Sequence, residues 1–286
     1  FKDASDDMVF IDANENPFDT GINRYPDPQQ NLVKDQLANI KGVSKEQILL
    51  GNGSDEVLDL IFRVFCEPKL DSVIALPPTY GMYKVLANTN DIKLIEVPLT
   101  KSFQPDVNGI LDFYNLQAKI LFICSPNNPT ANSFDADKIE KLIQDFSGIV
   151  VIDEAYIDFS SQESWISRLN DFPNLIVTQT LSKAYGLAGI RLGVCYASTE
   201  IISVLNKIKP PYNVNQLTQE AALERLKNQD QVNQEVQEII SERNQLIVDL
   251  QEVNLVQQIF PSDANFLLVK VDDANKRYDQ LVKQGI

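Results

Sequence analysis

Short runs of β-branched and aliphatic residues alternate along the first two thirds of the chain with stretches whose apolar positions recur every three or four residues. The runs SVIAL (72–76), KILFIC (119–124), GIVVID (148–153) and NLIVTQ (174–179) are apolar at consecutive positions, which is the pattern of strands covered on both faces, as in a parallel sheet. Between them DADKIEKLIQDF (135–146) sets Ile139, Leu142, Ile143 and Phe146 on one helical face. Another helix is predicted within GNGSDEVLDLIFRVF (51–65), with Val57, Leu58, Ile61, Phe62 and Phe65 as its apolar side. Ser54 can cap it, and Asp55 and Glu56 complement the dipole of its first turn. The alternation predicts βαβ units, hence an α/β fold with a mainly parallel central sheet flanked by helices. From about residue 200 the texture is helical apart from the Pro210–Pro211 break, and NFLLVKV (265–271) then predicts a strand. A smaller α+β domain therefore starts after the proline pair or within the long helix beyond it.

Composition narrows the function. At 286 residues the chain can hold one large domain with a smaller one beside it. A net charge of −15 argues against nucleic acid as a partner. It also means that a phosphorylated ligand must be held by a few local cations and helix N-termini against the global field. No apolar run reaches membrane-spanning length, so no membrane partner is expected, and the start FKDASDDMVFIDANENP has no secretory core. Cys66, Cys124 and Cys195 lack metal-ligand spacing and read as reduced, buried thiols of a cytoplasmic protein. The chain contains no histidine, which removes His-based triads and His metal sites, and no metal is expected.

Ligands of open parallel sheets bind beyond the carboxyl ends of the strands, so the residues just past each strand are informative. SVIAL leads to Tyr80, and KILFIC to Asn127 and Asn128. GIVVID ends in Asp153 with Glu154 and Tyr156 close behind, and NLIVTQ leads to Thr180, Ser182 and Lys183. Each group alone has a plain structural explanation in turns or caps. Together they suit pyridoxal 5′-phosphate. A lysine amine can bond its aldehyde, and a buried carboxylate can keep its ring nitrogen protonated. Phenol and amide groups can bond its 3-hydroxyl, and an aromatic ring can stack on it. Hydroxyls, an arginine and a glycine-lined helix N-terminus can hold its phosphate. An aspartate that ends an all-apolar strand is costly to bury unless it meets a cation or a strong donor.

The stretches DANENPF (12–18), NRYPDPQ (23–29), GNGSDE (51–56), PPTYGMY (77–83), SPNNPT (125–130), VIDEAYIDF (151–159), TLSKAYGLAGIRLG (180–193) and PPYNVN (210–215) span nearly the whole chain. They resemble the fold-type-I pyridoxal-phosphate enzymes, most closely the histidinol-phosphate aminotransferase family, in family order. The resemblance implies that Lys183 bonds the cofactor aldehyde and, once freed by substrate, shuttles a proton. It implies Asp153 at the ring nitrogen, Tyr156 and Asn128 at the 3-hydroxyl, and Tyr80 stacked on the ring. Thr180, Ser182, Arg191 and the backbone of Gly53 and Ser54 would hold the phosphate. Tyr25 would reach the cofactor phosphate of the neighbouring subunit, so a homodimer is implied, and the arm around Asn14 and Asn16 would close over the substrate. The implied division is an arm over 1–22, a large cofactor-binding domain over 23–209 and a small domain over 210–286.

The implied reaction is the exchange of an amino group between L-histidinol phosphate, a phosphorylated amine, and the 2-oxo acid 2-oxoglutarate, by a ping-pong route in histidine biosynthesis. An aromatic aminotransferase and a threonine-phosphate decarboxylase share the cofactor residues and remain alternatives. A non-catalytic cofactor-sensing regulator would need a basic DNA-binding module, which an acidic chain lacks. Two departures from the family stand out. Where the family loop reads Asn-Asn-Pro-Thr-Gly, this chain has Ala131, and a positive φ there would cost about 1–2 kcal/mol. The family also continues through further small-domain strands carrying an arginine that grips the substrate's anionic group, so the small domain over 210–286 is expected to be incomplete.

Overall fold

The computed structural model describes Ile11 and residues 13–113 and 118–286. Most of the opening stretch FKDASDDMVFIDANENP, including Asp12 of the arm, lies outside the described residues.

Consecutive apolar positions build one seven-stranded sheet. Its strands are β1 (Ile48–Asn52), β2 (Ser72–Ala75), β3 (Lys93–Glu96), β4 (Ala118–Cys124), β5 (Ile149–Asp153), β6 (Leu175–Thr180) and β7 (Leu192–Ala197), in the order β1-β7-β6-β5-β4-β2-β3. The pairs from β3 through β2, β4 and β5 to β6 are parallel, and β7 runs antiparallel to both its neighbours. The four runs read as buried strands are β2, β4, β5 and β6, adjacent in the sheet, so their carboxyl ends share one edge.

Strand alternation divides the core between two faces. Leu121, Ile123, Val150, Ile152, Leu175 and Val177 belong to one apolar cluster. Their neighbours Ile120, Phe122, Val151 and Ile176 belong to the other. Helices α1 (Asn31–Lys41) and α5 (Ala136–Asp145) cover the first face with Val33, Leu37, Ile139 and Leu142. Helices α2 (Gly53–Phe65), α3 (Met82–Thr89) and α6 (Thr199–Ile208) cover the second with Val57, Ile61, Tyr83 and Leu205. A short helix, α4 (Val107–Asp112), precedes β4. The sheet is thus a rigid platform with a fixed ligand-side edge.

After the proline pair, α7 (Gln216–Lys227) turns back onto the first face and puts Ala222 and Leu226 into its core. The 23-residue α8 (Gln229–Gln251) then leads to an antiparallel pair, β8 (Val256–Ile259) with β9 (Val269–Val271), and to α9 (Ala274–Lys283). Only the last three residues of the predicted 265–271 strand are strand. Upstream, the Ser262 hydroxyl donates to Phe266 O at 2.6 Å, and the Phe260 amide donates to Leu268 O at 3.0 Å, which turns the chain. Asp263 ties this turn to the sheet platform: its amide donates to Ala131 O at 2.7 Å, and its Oδ2 accepts the Ser133 amide at 2.9 Å. Among the described residues no helix is long and apolar enough to cross a membrane.

Candidate active site

A cleft with about 580 Å³ of empty space, measured out to its mouth, opens over the carboxyl ends of β4, β5 and β6. Asp153, Lys183, Arg191 and Ser54 line it, as do Tyr80, Asn128, Tyr156, Thr180 and Ser182. The residues expected at the site from sequence are brought together here, apart from Tyr25 and the arm residues Asn14 and Asn16. Gly53 is not itself in the lining, but it adjoins Ser54 and its amide donates to the Arg191 carbonyl.

Asp153 forms the floor. It ends β5 and is only 3 % exposed. Tyr83, fully buried on α3 and stacked on Phe122, donates its hydroxyl to Oδ2 at 2.9 Å, while the Ala155 amide donates to Oδ1 at 3.2 Å. Burial pushes the Asp153 carboxyl up from the usual 3.8 to about 6 despite these donors. Among the described residues it has no salt-bridge partner. Burial without a paired cation disfavours the ionised form, which is why the carboxyl stays raised. Glu154, one residue on, points elsewhere, as strand alternation requires. Its buried carboxylate accepts the Ser164 hydroxyl at 2.6 Å, the Trp165 amide at 2.7 Å and Gln179 Nε2 at 2.9 Å, so it is structural.

The wall is aromatic and polar. Asn128 Nδ2 donates to the Tyr156 hydroxyl at 3.2 Å, and the Tyr156 ring meets Phe266 edge-on at 5.2 Å. Lys183 Nζ lies 5.4 Å from the centroid of the Tyr156 ring. Asn127, beside Asn128, is fully buried and laces the loop by bonding Pro78 O, Thr79 and Thr130. Ala131 in this loop has φ +65° and is completely buried, so the left-handed conformation that its place in the family loop raised is realised.

At the opposite end, Arg191, itself at φ +55°, accepts the Gly53 amide with its carbonyl at 2.8 Å. A Cβ on Gly53 would lie 2.7 Å from Arg191 Nη2, and one on Gly193 would lie 2.3 Å from Gly53 C and Ser54 N. Both glycines let the N-terminus of α2, β7 and the guanidinium close into one cradle. Asp55, in the first turn of α2, accepts the Tyr80 hydroxyl on Oδ1 at 3.0 Å, and its Oδ2 lies 3.6 Å from Arg191 Nη2. Burial, and then the Asp55 carboxylate, raise the Tyr80 phenol well above its ordinary value. The Thr180 hydroxyl donates to Leu192 O at 3.3 Å and accepts the Ser182 amide at 3.1 Å. It therefore organises the turn into Ser182 and Lys183.

Tyr25 lies outside the cleft, more than half exposed, and stacks on Tyr212 at 4.6 Å. Asn16 braces the arm, accepting the Phe18 amide on its side chain and Asn23 Nδ2 on its carbonyl. Sequence reasoning missed Tyr83 and the contacts of Asp55. Tyr83 stands in the quoted PPTYGMY stretch, but the pattern contained no signal that its hydroxyl turns inward.

An amine, a buried anion, a cation at a helix N-terminus and a half-buried aromatic wall fit pyridoxal 5′-phosphate: anion for ring nitrogen, cradle for phosphate, amine for aldehyde. Comparison with known proteins is consistent with that fit. Residues 10–286 match the aminotransferase class I and II family. The chain is 62 % identical over 280 residues to the histidinol-phosphate aminotransferase of Flavobacterium johnsoniae, covering 98 % of this chain and 80 % of that protein. It is 63 % identical over 286 residues to that of Christiangramia forsetii, covering 100 % of this chain and 82 % of the relative. Among solved structures, the histidinol-phosphate aminotransferase of Sinorhizobium meliloti in complex with pyridoxal 5′-phosphate superposes with a TM-score of 0.82 at 26 % identity, covering 91 % of this chain and 71 % of the other.

Proposed function

The chain belongs to the class I and II aminotransferases, and from that premise we propose that it moves the amino group of L-histidinol phosphate to 2-oxoglutarate, giving imidazole-acetol phosphate and L-glutamate in histidine biosynthesis. The observation that carries the reading is the meeting of Lys183, Asp153 and Arg191 in one cleft, each delivered by a different strand end. The substrate class is supported by relatives more than 60 % identical over nearly the whole chain.

Pyridoxal 5′-phosphate, when bound, supplies an aldehyde for the substrate amine and a ring that accepts the electron pair released at the substrate's α-carbon. Asp153, held on both oxygens by Tyr83 and Ala155, would pair with the ring nitrogen and keep a proton there. Tyr156 and Asn128, already bonded to each other, would hold the 3-hydroxyl, and Tyr80 would cover the ring face. Arg191, Ser182 and the amides of Gly53 and Ser54 would seat the phosphate. Thr180 contributes mainly by fixing Ser182, because its proton is committed to Leu192 O. Lys183, whose Nζ lies 5.4 Å from the centroid of the Tyr156 ring, would be the amine that holds the aldehyde and, when free, the base for the proton on the substrate's α-carbon. The amino donor and the 2-oxo acid use this seat in turn.

Tyr25 serves a second subunit's phosphate in this reading. The exposed Tyr25–Tyr212 pair supports a homodimer. The arm over 1–22, the large domain over 23–209 and the small domain over 210–286 are the proposed units, with α7 packed back on the large one. Three buried free thiols support a cytoplasmic setting.

The test is a half-reaction. The cofactor-loaded chain is mixed separately with histidinol phosphate, phenylalanine and threonine phosphate, and the cofactor spectrum and product are read. Conversion of the cofactor to its amine form by histidinol phosphate is expected. Carbon dioxide release from threonine phosphate, or response to phenylalanine alone, overturns the substrate assignment.

A further inference from the structure

The phosphate end of the cleft already contains an anion. Asp55 sits two residues beyond Gly53 at the start of α2, and its single carboxylate is shared. Oδ1 receives the Tyr80 hydroxyl at 3.0 Å, and Oδ2 stands 3.6 Å from Arg191 Nη2. Tyr80 continues inward, meeting Tyr83 edge-on at 5.7 Å, and Tyr83 bonds Asp153. One carboxylate thus touches both the residue assigned to the ring face and the cation assigned to the phosphate. As a complement to the helix dipole it needed neither contact.

We propose that Asp55 is a displaceable internal counter-ion. It pins Tyr80 and pairs with Arg191 while the seat is free, and it competes with an incoming phosphate for the guanidinium. The inference rests on the reading of the cleft as the cofactor site.

Two effects of the carboxylate oppose each other. Orienting Arg191 favours phosphate binding, and placing a negative charge beside a dianion opposes it. Charge prevails here because the arginine is oriented without Asp55. Its carbonyl is tied to the Gly53 amide at 2.8 Å, its backbone is in the left-handed region, and its guanidinium rests against the Cα of Gly53, where a side chain would not fit. The repulsion is moderated by water, since the Asp55 and Arg191 side chains are 34 % and 53 % exposed. For Tyr80 the carboxylate acts purely as a positioning residue, accepting the hydroxyl and so fixing the tilt of the ring.

Titration calorimetry of the cofactor-free chain separates these roles, with inorganic phosphate, pyridoxal 5′-phosphate and unphosphorylated pyridoxal as probes. Asp55→Asn removes the charge and keeps an acceptor for Tyr80. It is expected to bind inorganic phosphate and pyridoxal 5′-phosphate about fivefold more tightly than wild type, the scale of a partly exposed ion pair, and pyridoxal equally. The gain should shrink in high salt. Asp55→Ala should show the same gain for inorganic phosphate and weaker binding of pyridoxal, because Tyr80 is released. Equal or weaker phosphate binding by Asp55→Asn overturns the inference. Arg191→Ala is the control for the underlying reading. If it weakens both phosphate ligands while Asp55→Asn changes nothing, only the inference fails. If it leaves both unchanged, the assignment of the cleft fails, and the inference with it.

Discussion

Replacing Asp153 by Asn should make the cofactor-free protein more stable near neutral pH while destroying its chemistry. Burial raises the carboxyl from 3.8 to about 6, so the folded state resists ionisation that the unfolded chain accepts. Below about pH 4 the group is protonated in both states and costs nothing. Between that point and the folded value, the unfolded chain ionises first and stability falls. Above about pH 6 the full penalty applies, about 3 kcal/mol for this shift. Asparagine removes the penalty but gives up hydrogen bonding. Tyr83 and the Ala155 amide both donate to the carboxylate, and an amide offers only one oxygen, so about 1 kcal/mol is lost. The net gain is about 2 kcal/mol near pH 7.5, falling to less than about 1 kcal/mol near pH 5. Urea unfolding of the cofactor-free chain at the two pH values, with unchanged m-values, measures it. A variant less stable than wild type by the same amount at both pH values would refute the reasoning, because the carboxylate would then carry no burial penalty. The loaded enzyme should respond in the opposite sense, losing several powers of ten in turnover at about 1.4 kcal/mol of barrier each. A rate within about tenfold of wild type would mean the carboxylate does not serve the ring nitrogen.

Lys183→Ala should bind the cofactor without a covalent link and show no transamination; measurable turnover or a retained imine absorbance counts against its role. Gly193→Ala forces a methyl to within 2.3 Å of the Gly53 and Ser54 backbone, so it should cost about 3 kcal/mol or more in urea unfolding and weaken phosphate binding. Wild-type phosphate affinity in a stably folded variant would mean the cradle can open without consequence. Ala131→Gly relieves about 1 kcal/mol of left-handed strain and gives up about 0.8 kcal/mol of buried methyl, so its stability should stay within about 0.5 kcal/mol of wild type. A loss above about 2 kcal/mol would mean that the methyl packs against the loop far better than its size suggests.

Legibility tracked burial. The strands β2, β4, β5 and β6 stood out because both faces of the sheet are covered and every position must be apolar. Two of the strands that the pattern did not predict break that rule: β3 has charged Lys93 and Glu96 at its exposed ends, and β8 reads Val-Gln-Gln-Ile with its central pair in solvent. β1 and β7 are buried almost throughout, but Gly51 and Gly193 interrupt their apolar runs. NFLLVKV was overread because its first half is held by side-chain bonds to a turn rather than by a ladder. Within the site, Lys183, Asp153 and Arg191 were legible because each stands beside a strand end, in a local sequence that has little other reason to contain it. Glu154 was grouped with Asp153 by position alone, and the alternation of the strand separated them.

The order of apolar and polar residues along this chain determined which segments become buried strands, which edge of the sheet carries polar groups, and which amine and carboxylate could act there. Those are properties of neighbours in sequence, set by pleat and helix periodicity. The tertiary structure alone decided that Tyr83, 70 residues away, holds Asp153, that Asp55 joins Tyr80 to Arg191, and that Asp263 clasps the Ala131 loop. Such contacts depend on how helices seat against the sheet, and a long-range hydrogen bond imposes no periodicity on either of the segments it joins.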